Sequence, residues 1–477
     1  VLLRPVVGFD LDLTLVDPRP GVAASYRELS RLTGVPIDAD EVAARVGPKL
    51  ELEIARWFPA ASVAAVADTY REIFAMHGVP GTSALPGADA ALAEVRRQGG
   101  RSLVVTAKSE PLARATLDRL SLAPDELFAW RWEEGKTHAL AEAGADLYVG
   151  DHVADMRSAV AAGVYAVGVT SGADDASSLR DAGADVVLDS IAEFPRWLSA
   201  YLLPARLAAL DESLRALGSV VVAFSGGADS AFLLAAAVRA LGPANVVAAT
   251  AVSPSLASRE LDAAAEFAAG LGVRHEKPHT DEMSRDGYRA NDGNRCYFCK
   301  AELIDVLRPL ADATGIANVA TGTNADDAVA GFRPGIRAAA ERGALTPLRD
   351  AGFTKDQVRA ASREWGLPTW DKPALACLSS RVAYGVTITP QRLARVEQAE
   401  VSLRAALHAA GVDVRDLRVR DLGGRARVEV DPTLVDWLSG RPDLLGCIDG
   451  FDHVEVDPRG FRSGSMNEAL GARGPTS

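Results

Sequence analysis

Cysteine is scarce in this chain of 477 residues, which holds four in all. That is too few for a disulfide framework, and the CxxC spacing of Cys296 and Cys299 points instead to metal or redox chemistry in a reducing compartment. Lysine is scarce as well: seven of the 51 basic residues. Arginine has taken over generic positive charge, so each remaining lysine marks a place where a compact ammonium is wanted. No apolar run approaches the roughly 18 residues that span a bilayer. The opening stretch VLLRPVVGFDLDLTL meets two aspartates too early for a signal peptide, so a cytoplasmic location is expected. Acidic residues outnumber basic ones, 64 to 51, for a net charge of -13. Such a balance speaks against a surface devoted to nucleic acid or anionic lipid, although it allows a local basic groove. Internal repeats and low-complexity blocks are absent, and so is the phosphate-loop string GxxxxGK[ST].

What is present reads as an α/β chain of roughly three domains at about 150 residues each. An apolar strand over 2–9 ends at Asp10. Helical stretches follow at 22–33, 39–56 and 62–77, then a strand at 102–106, a helix at 110–120, and strands at 147–150 and 164–169. Strands separated by helices predict a parallel sheet, and the helices of about 18–85 read as a cap inserted after the first strand. A linker is expected at 199–212. A second parallel sheet then opens with SVVVAF (219–224), continues through a Gly-rich turn into a helix from about 230, and has later strands near 245–251 and 317–321. Thr354 and Gln357 form a capping box for a helix that Gly366 closes. Another helix runs from Thr389-Pro390 to near Gly411. The expected domains are therefore 1–198, 213–385 and a small strand-containing α+β domain at 386–465, before a loose tail at 466–477.

The string Phe9-Asp10-Leu11-Asp12-Leu13-Thr14 places two carboxylates where a buried strand ends, at the crevice where parallel sheets bind ligands. One ionised carboxylate attacking a phosphoryl group while the second serves the leaving oxygen would use such a pair; a solvated turn is the plain alternative. Thr106, Lys136, Asp151 and Asp155 then supply a hydroxyl, an ammonium and further carboxylates at successive strand ends, as Mg²⁺-assisted phosphoryl transfer requires. With these residues in order, 1–198 resembles the haloacid dehalogenase superfamily in its helical-cap form. The resemblance implies Asp10 as nucleophile, Asp12 as general acid/base, Thr106 and Lys136 on the phosphate, and a Mg²⁺ site drawn from Asp10, Asp12, Asp151 and Asp155, with Asp155 also supporting Lys136. Lys108 is a rival for the lysine role.

Between the next strand and helix lies Ser225-Gly226-Gly227-Ala228-Asp229-Ser230. Two glycines let backbone N–H groups approach an anion, serine hydroxyls add donors, and a helix N-terminus favours negative charge. Without the phosphate-loop lysine, the turn reads as a cradle for pyrophosphate, with Asp229 available for Mg²⁺. It is similar to the N-type ATP pyrophosphatases, which cut ATP between the α and β phosphates to adenylate an oxygen of the substrate.

Asn294-Arg295-Cys296-Tyr297-Phe298-Cys299-Lys300, Gly322-Thr323-Asn324-Ala325-Asp326-Asp327, Arg333-Pro334-Gly335 and Lys372 to Arg381 around Cys377 resemble the LarE family of sulfur transferases, with a likeness that covers about 206–465. That resemblance implies adenylation of a carboxylate on a pyridinium mononucleotide, after which sulfur replaces its oxygen. The sulfur comes either from Cys377 itself, left as dehydroalanine, or from a [4Fe-4S] cluster held by Cys296, Cys299 and Cys377 with one open iron. A zinc clip is the bland reading of CxxC. Cys447 sits in an apolar run and reads as core. Arg418 and Arg420 alternate along a strand and share a face suited to a phosphate, or form a solvated basic edge. Glu397 and Glu400 read as surface residues, whereas Asp326 and Asp327, at a strand end, suit Mg²⁺ or substrate.

The expected whole is a bifunctional enzyme: a Mg²⁺-dependent phosphatase joined to an ATP-dependent sulfur transferase, with a phosphomonoester and a nucleotide-like carboxylate as small-molecule substrates. Nucleic acid and membrane are not expected as partners, and a homo-oligomer is left open. Thiolation of tRNA, amidation of a small molecule, and an ATP-binding scaffold are the alternatives.

Overall fold

The protein's computed structural model describes residues 3–47, 49–329, 333–373, 376–462 and 465–467. Ala374 and Leu375 of the Cys377 motif, and the tail from 468 on, lie outside the described residues. Two compact units divide between Arg206 and Leu207. The expected linker at 199–212 falls inside one helix, Phe194–Leu217, which tolerates Pro204 in its interior.

In the first unit, six strands form a parallel sheet in the order β5-β4-β1-β6-β7-β8. They are β1 (Val6–Phe9), β4 (Arg101–Val105), β5 (Glu126–Phe128), β6 (Leu147–Gly150), β7 (Tyr165–Val169) and β8 (Val186–Leu188). A two-residue ribbon, β2 (Val16–Asp17) against β3 (Ser83–Ala84), brackets the helical insertion. The core strands are buried on both faces, so they read as unbroken apolar runs rather than alternating ones. Side chains of β1, β4, β6 and β7 form the core with the helix Ala88–Arg97 and the first turns of Phe194–Leu217. The cap has its own core of Tyr26, Leu29, Ile54, Tyr70 and Phe74. A single helix over 39–56 is not what forms there: the chain makes Ala39–Ala44 and Leu50–Ile54 instead. The sequence Gly47-Pro48 accounts for the break, since proline lacks the N–H a continuing helix needs.

The second unit is built on a four-stranded parallel sheet ordered β11-β10-β9-β12. Its members are β9 (Val220–Ala223), β10 (Val246–Ala249), β11 (Arg274–Glu276) and β12 (Val319–Thr321). The chain leaves β9 toward β10 on one side and returns to β12 on the other, so the carboxyl ends of β9 and β12 flank a topological switch point. A three-stranded sheet follows: β13 (Leu417–Asp421) antiparallel to β14 (Arg425–Val430), which is parallel to β15 (His453–Val456). It packs on the helix Pro390–Ala409 through Ala399, Leu403 and Leu407. Cys447 is half-buried against this cluster. Both helix starts read from sequence are in place, the Thr354–Gln357 capping box among them.

Candidate active sites

Strands β4, β1 and β6 are neighbours, and Thr106, Asp10 and Asp151 each follow the last residue of one of them. Sheet order therefore assembles what is far apart in sequence. Asp10 N–H donates to the Val149 carbonyl at 2.8 Å. Beyond it the chain coils tightly: the amides of Leu15 and Val16 both donate to the Leu11 carbonyl, and Leu13 takes φ of 64°. Thr14 Oγ1 is thereby aimed at Asp151 Oδ1, 2.8 Å away, and fixes that carboxylate. Gly150 has no room for a side chain, because a Cβ there would sit 2.4 Å from Asp155 Cβ.

Lys136 Nζ lies 2.6 Å from Asp10 Oδ1 and 2.6 Å from Asp155 Oδ1, with all three residues buried. Burial alone would push this ammonium down; the two carboxylates outweigh it and hold Lys136 well above the usual lysine value. Asp10 is raised to about 7, chiefly by burial, with Lys136 opposing and Asp155 adding to the rise. Asp151 is also held well above the carboxylate range, by burial and then by Asp10 and Asp155. Each of Asp10, Asp151 and Asp155 offers an oxygen within 4.8 Å of the others. Three buried carboxylates against one ammonium leave negative charge uncompensated, and an all-oxygen donor set suits a hard dication such as Mg²⁺.

Asp12 is not in that group. The tight turn points its carboxylate elsewhere, and Oδ1 accepts from Lys108 Nζ at 2.8 Å. The rivalry between the two lysines is thus a division: Lys136 serves Asp10 and Asp155, and Lys108 serves Asp12. Both aspartates line a cleft closed on its far side by the cap. Two supporting residues were not read from sequence. The Tyr148 hydroxyl stands 3.1 Å from Asp155 Oδ1, and His152 shares a capping box with Asp155. A tyrosine within the apolar strand LYVG was the available signal for the first, since a buried phenol needs a partner.

In the second unit the SGGADS string forms the turn after β9. Gly226 takes φ of 74°, a left-handed conformation that residues with a Cβ avoid, and Ala228 opens a 14-residue helix. The Ser225 and Ser230 hydroxyls are 3.1 Å apart. Asp229 accepts from Asn324 Nδ2 at 3.1 Å, which ties the loop to the motif after β12, and Lys355 Nζ is 4.0 Å away. Burial raises Asp229 above its usual value, with Lys355 and Asn324 opposing and Asp327 adding. Lys372 Nζ donates to the Gly226 carbonyl at 3.1 Å and pairs with Glu260 at 2.9 Å. The lysine missing from the loop string is thus matched by Lys355 and Lys372, which approach from distant parts of the chain. Asp326 accepts from the Lys355 amide at 2.7 Å, while Asp327 and Asn324 exchange backbone-to-side-chain hydrogen bonds.

Cys296 and Cys299 sit in the opening turns of the helix Arg295–Thr314, at a spacing that puts both on one face. Arg295 Nη1 donates to the Ser379 carbonyl at 2.9 Å, and the Tyr288 hydroxyl meets Ser379 Oγ at 2.5 Å. These bonds dock the Cys377 segment on the cysteine helix and on the short helix Asp286–Arg289 before it. Burial pushes the Cys299 thiol well up, and the electrostatic influence of Cys377, Glu282 and Cys296 adds to it against Lys300. The three thiols therefore share one electrostatic neighbourhood. Among the described residues, only the aspartate trio has ligand atoms all within 4.8 Å of one another.

Arg418 and Arg420 are buried, which removes the solvated-edge reading. Arg420 pairs with Glu429 at 2.6 Å and donates to the Ser380 carbonyl at 3.2 Å and to Ser465 Oγ at 3.1 Å. Arg418 donates to the Leu417 carbonyl at 2.8 Å and lies over the Phe461 ring; burial and then Arg381 lower it to about 10. Glu397 is exposed at the hydrogen bond it accepts from the Ser258 amide, but Glu400 is buried and not a surface residue. It pairs with Arg381 at 3.0 Å, and Arg381 Nη1 in turn donates to the Cys377 carbonyl at 3.1 Å. Glu400→Ala should leave a buried guanidinium without its counter-charge and cost about 3–5 kcal/mol. Urea denaturation of the full chain measures this; a loss under about 1 kcal/mol would show the pair to be solvated.

A sequence profile of haloacid dehalogenase-like hydrolases matches residues 7–159. The chain is 34% identical over 215 residues to the phosphoglycolate phosphatase of Rhodospirillum rubrum, covering 40% of this chain and 89% of that one. It is 35% identical over 271 residues to the pyridinium-3,5-bisthiocarboxylic acid mononucleotide synthase of Lactiplantibacillus plantarum, covering 56% of this chain and 96% of the relative. Protein slr1717 of Synechocystis, described as uncharacterized, is 41% identical over 274 residues, covering 56% of this chain and 99% of its own.

Proposed function

The chain belongs to the haloacid dehalogenase-like hydrolases in its N-terminal part and to the LarE family of the pyridinium-3,5-bisthiocarboxylic acid mononucleotide synthase beyond it, and we propose that it is a bifunctional enzyme pairing phosphomonoester hydrolysis with ATP-dependent sulfur transfer.

For the hydrolase, the bridge of Lys136 between Asp10 and Asp155 carries the reading. The ammonium orients the Asp10 carboxylate at the cleft and favours its ionised form, offsetting part of the burial that raises it. Asp10 attacks phosphorus, the ester P–O bond breaks, and Asp12 delivers a proton to the departing oxygen. Asp12 then takes a proton from the water that hydrolyses the aspartyl phosphate. Thr106 and Lys136 contact the phosphoryl oxygens. A Mg²⁺ held by Asp10, Asp151 and Asp155 supplies charge neutralisation to the transferring group.

For the second activity, the turn around Gly226 and the helix behind it offer N–H groups and serine hydroxyls to the pyrophosphate of ATP. Asn324, Lys355 and Lys372 hold Asp229 and the loop in place. The substrate carboxylate attacks the α phosphate, pyrophosphate leaves, and a sulfur nucleophile then displaces AMP from the carbonyl carbon. A [4Fe-4S] cluster on Cys296, Cys299 and Cys377 would supply that sulfur renewably. What supports a bound metal is the placement of Cys296 and Cys299 on one helix face, with the Cys377 segment held beside them through Arg295 and Ser379.

ATP labelled in its α phosphate should yield labelled AMP, and Asp229→Ala should lose at least about 100-fold in that turnover. Accumulation of ADP would reject the pyrophosphatase reading.

A further inference from the structure

The cap wall of the phosphatase cleft is rich in cations, yet each has an acidic partner. Arg45 pairs with Glu41 and, at 2.9 Å, with Glu53. Arg71 pairs with Glu51 and, at 2.8 Å, with Asp68. Lys49 stands 3.8 Å from Glu51. On the core wall, Lys108 is bound to Asp12, Lys136 to Asp10 and Asp155, and His152 lies 3.8 Å from Asp174. Among the described residues lining the cleft every cation is engaged with a carboxylate, so a second anionic group on the substrate would have to compete with one of them; Arg45 Nε is buried without a hydrogen-bond partner but belongs to a guanidinium already paired twice. Glu51 adds to this: its carboxylate lies in the cleft wall between Arg71 and Lys49, takes up both cations, and is repulsive to a second carboxylate.

The rest of the wall is aromatic. Tyr26 and Tyr70, both largely buried, meet with centroids 4.6 Å apart and planes tilted by 42°, and Phe74 follows at 5.9 Å from Tyr70. Trp130 faces them from the core side, 53% exposed. Its φ is 58°, a left-handed conformation disfavoured for a residue with a bulky side chain. Its backbone N–H donates a hydrogen bond to the Lys108 carbonyl at 3.0 Å and holds it so, and the Arg71 guanidinium lies 4.8 Å from its ring. A strained backbone that keeps an indole at the mouth of a cleft is the kind of outlier that marks ligand contact.

Resting on the hydrolase reading above, we propose that this cleft selects phosphomonoesters whose leaving part is an uncharged, ring-bearing alcohol, of which nucleoside 5′-monophosphates are the type, and rejects those whose leaving part carries a carboxylate. The ring lies between Trp130 and the cap tyrosines, and sugar hydroxyls meet Glu51.

The test uses the full chain with Mg²⁺ and compares kcat/KM for AMP and CMP with that for phosphoglycolate, while acetyl phosphate probes formation of phosphorylated Asp10 without any leaving-group recognition. The nucleotides should be preferred at least about tenfold. Trp130→Ala should shrink that ratio, and Glu51→Gln, which frees Lys49 and leaves Arg71 with Asp68 alone, should shrink it by raising turnover of phosphoglycolate. Equal or better turnover of phosphoglycolate by the unaltered chain overturns the inference. So does a ratio that neither variant moves. Labelling of Asp10 by acetyl phosphate with no hydrolysis of either nucleotide overturns it alone, whereas no labelling and no hydrolysis of any ester brings down the hydrolase reading and the inference with it.

Discussion

Asp10→Asn should abolish phosphomonoester hydrolysis, by about 10⁴-fold or more, while leaving ATP consumption intact. An amide of the same shape cannot attack phosphorus, so the whole loss falls on the chemical step. The surroundings survive the change: Lys136 keeps its bond to Asp155, and Thr14 keeps Asp151 in place. Removing one of three crowded carboxylates also relieves repulsion, since Asp10 and Asp155 both push Asp151 upward. The metal-free variant should therefore be at least as heat-stable as the parent, which separates a lost nucleophile from a lost fold. Steady-state phosphate release and a thermal melt check both halves of this expectation. Normal phosphatase turnover in the variant would remove Asp10 as nucleophile.

The second large effect concerns the thiols. Replacing any one of Cys296, Cys299 or Cys377 by alanine should reduce bound iron and acid-labile sulfide to near zero in protein prepared without oxygen, because two thiolates anchor a cluster poorly. Cys447→Ala should spare both, since that residue packs against the C-terminal apolar cluster. If Cys377 instead gives up its own sulfur, the chain should turn over once and lose about 34 Da at that position, with little dependence on Cys296 or Cys299. Its exposure makes this alternative chemically accessible. Iron and sulfide analysis beside intact-protein mass spectra separates the outcomes. No iron together with an unmodified Cys377 after turnover would remove both.

Much of the architecture was legible because buried parallel strands announce themselves as apolar runs ending in a polar residue. Asp10, Thr106 and Asp151 all follow such runs, and so does the turn beginning at Ser225. The three-residue strands at Glu126–Phe128, Val186–Leu188 and Arg274–Glu276 were not legible; the first and last carry charged residues, and all three end or border an edge of their sheet. Pairings between distant residues were also hidden. The two-residue alternation of Arg418 and Arg420 gives them a common face but not the burial of that face, which depends on Glu429 and Glu400 reaching them from a neighbouring strand and helix. Lys372 meets Gly226 across 146 residues, and no local spacing reports such a contact. Asp12 shows the converse limit. The resemblance implied a metal site that included Asp12, but the tight turn at Leu13 sends the two carboxylates to different lysines.

The most direct test is to give the full chain a pyridinium mononucleotide carboxylate with ATP, Mg²⁺ and sulfide under anaerobic conditions. Mass spectrometry of the small molecules should show one carboxylate oxygen exchanged for sulfur, with one AMP and one pyrophosphate released per exchange. ADP as the nucleotide product, or AMP formed with the carboxylate recovered unchanged or converted to an amide, would contradict it.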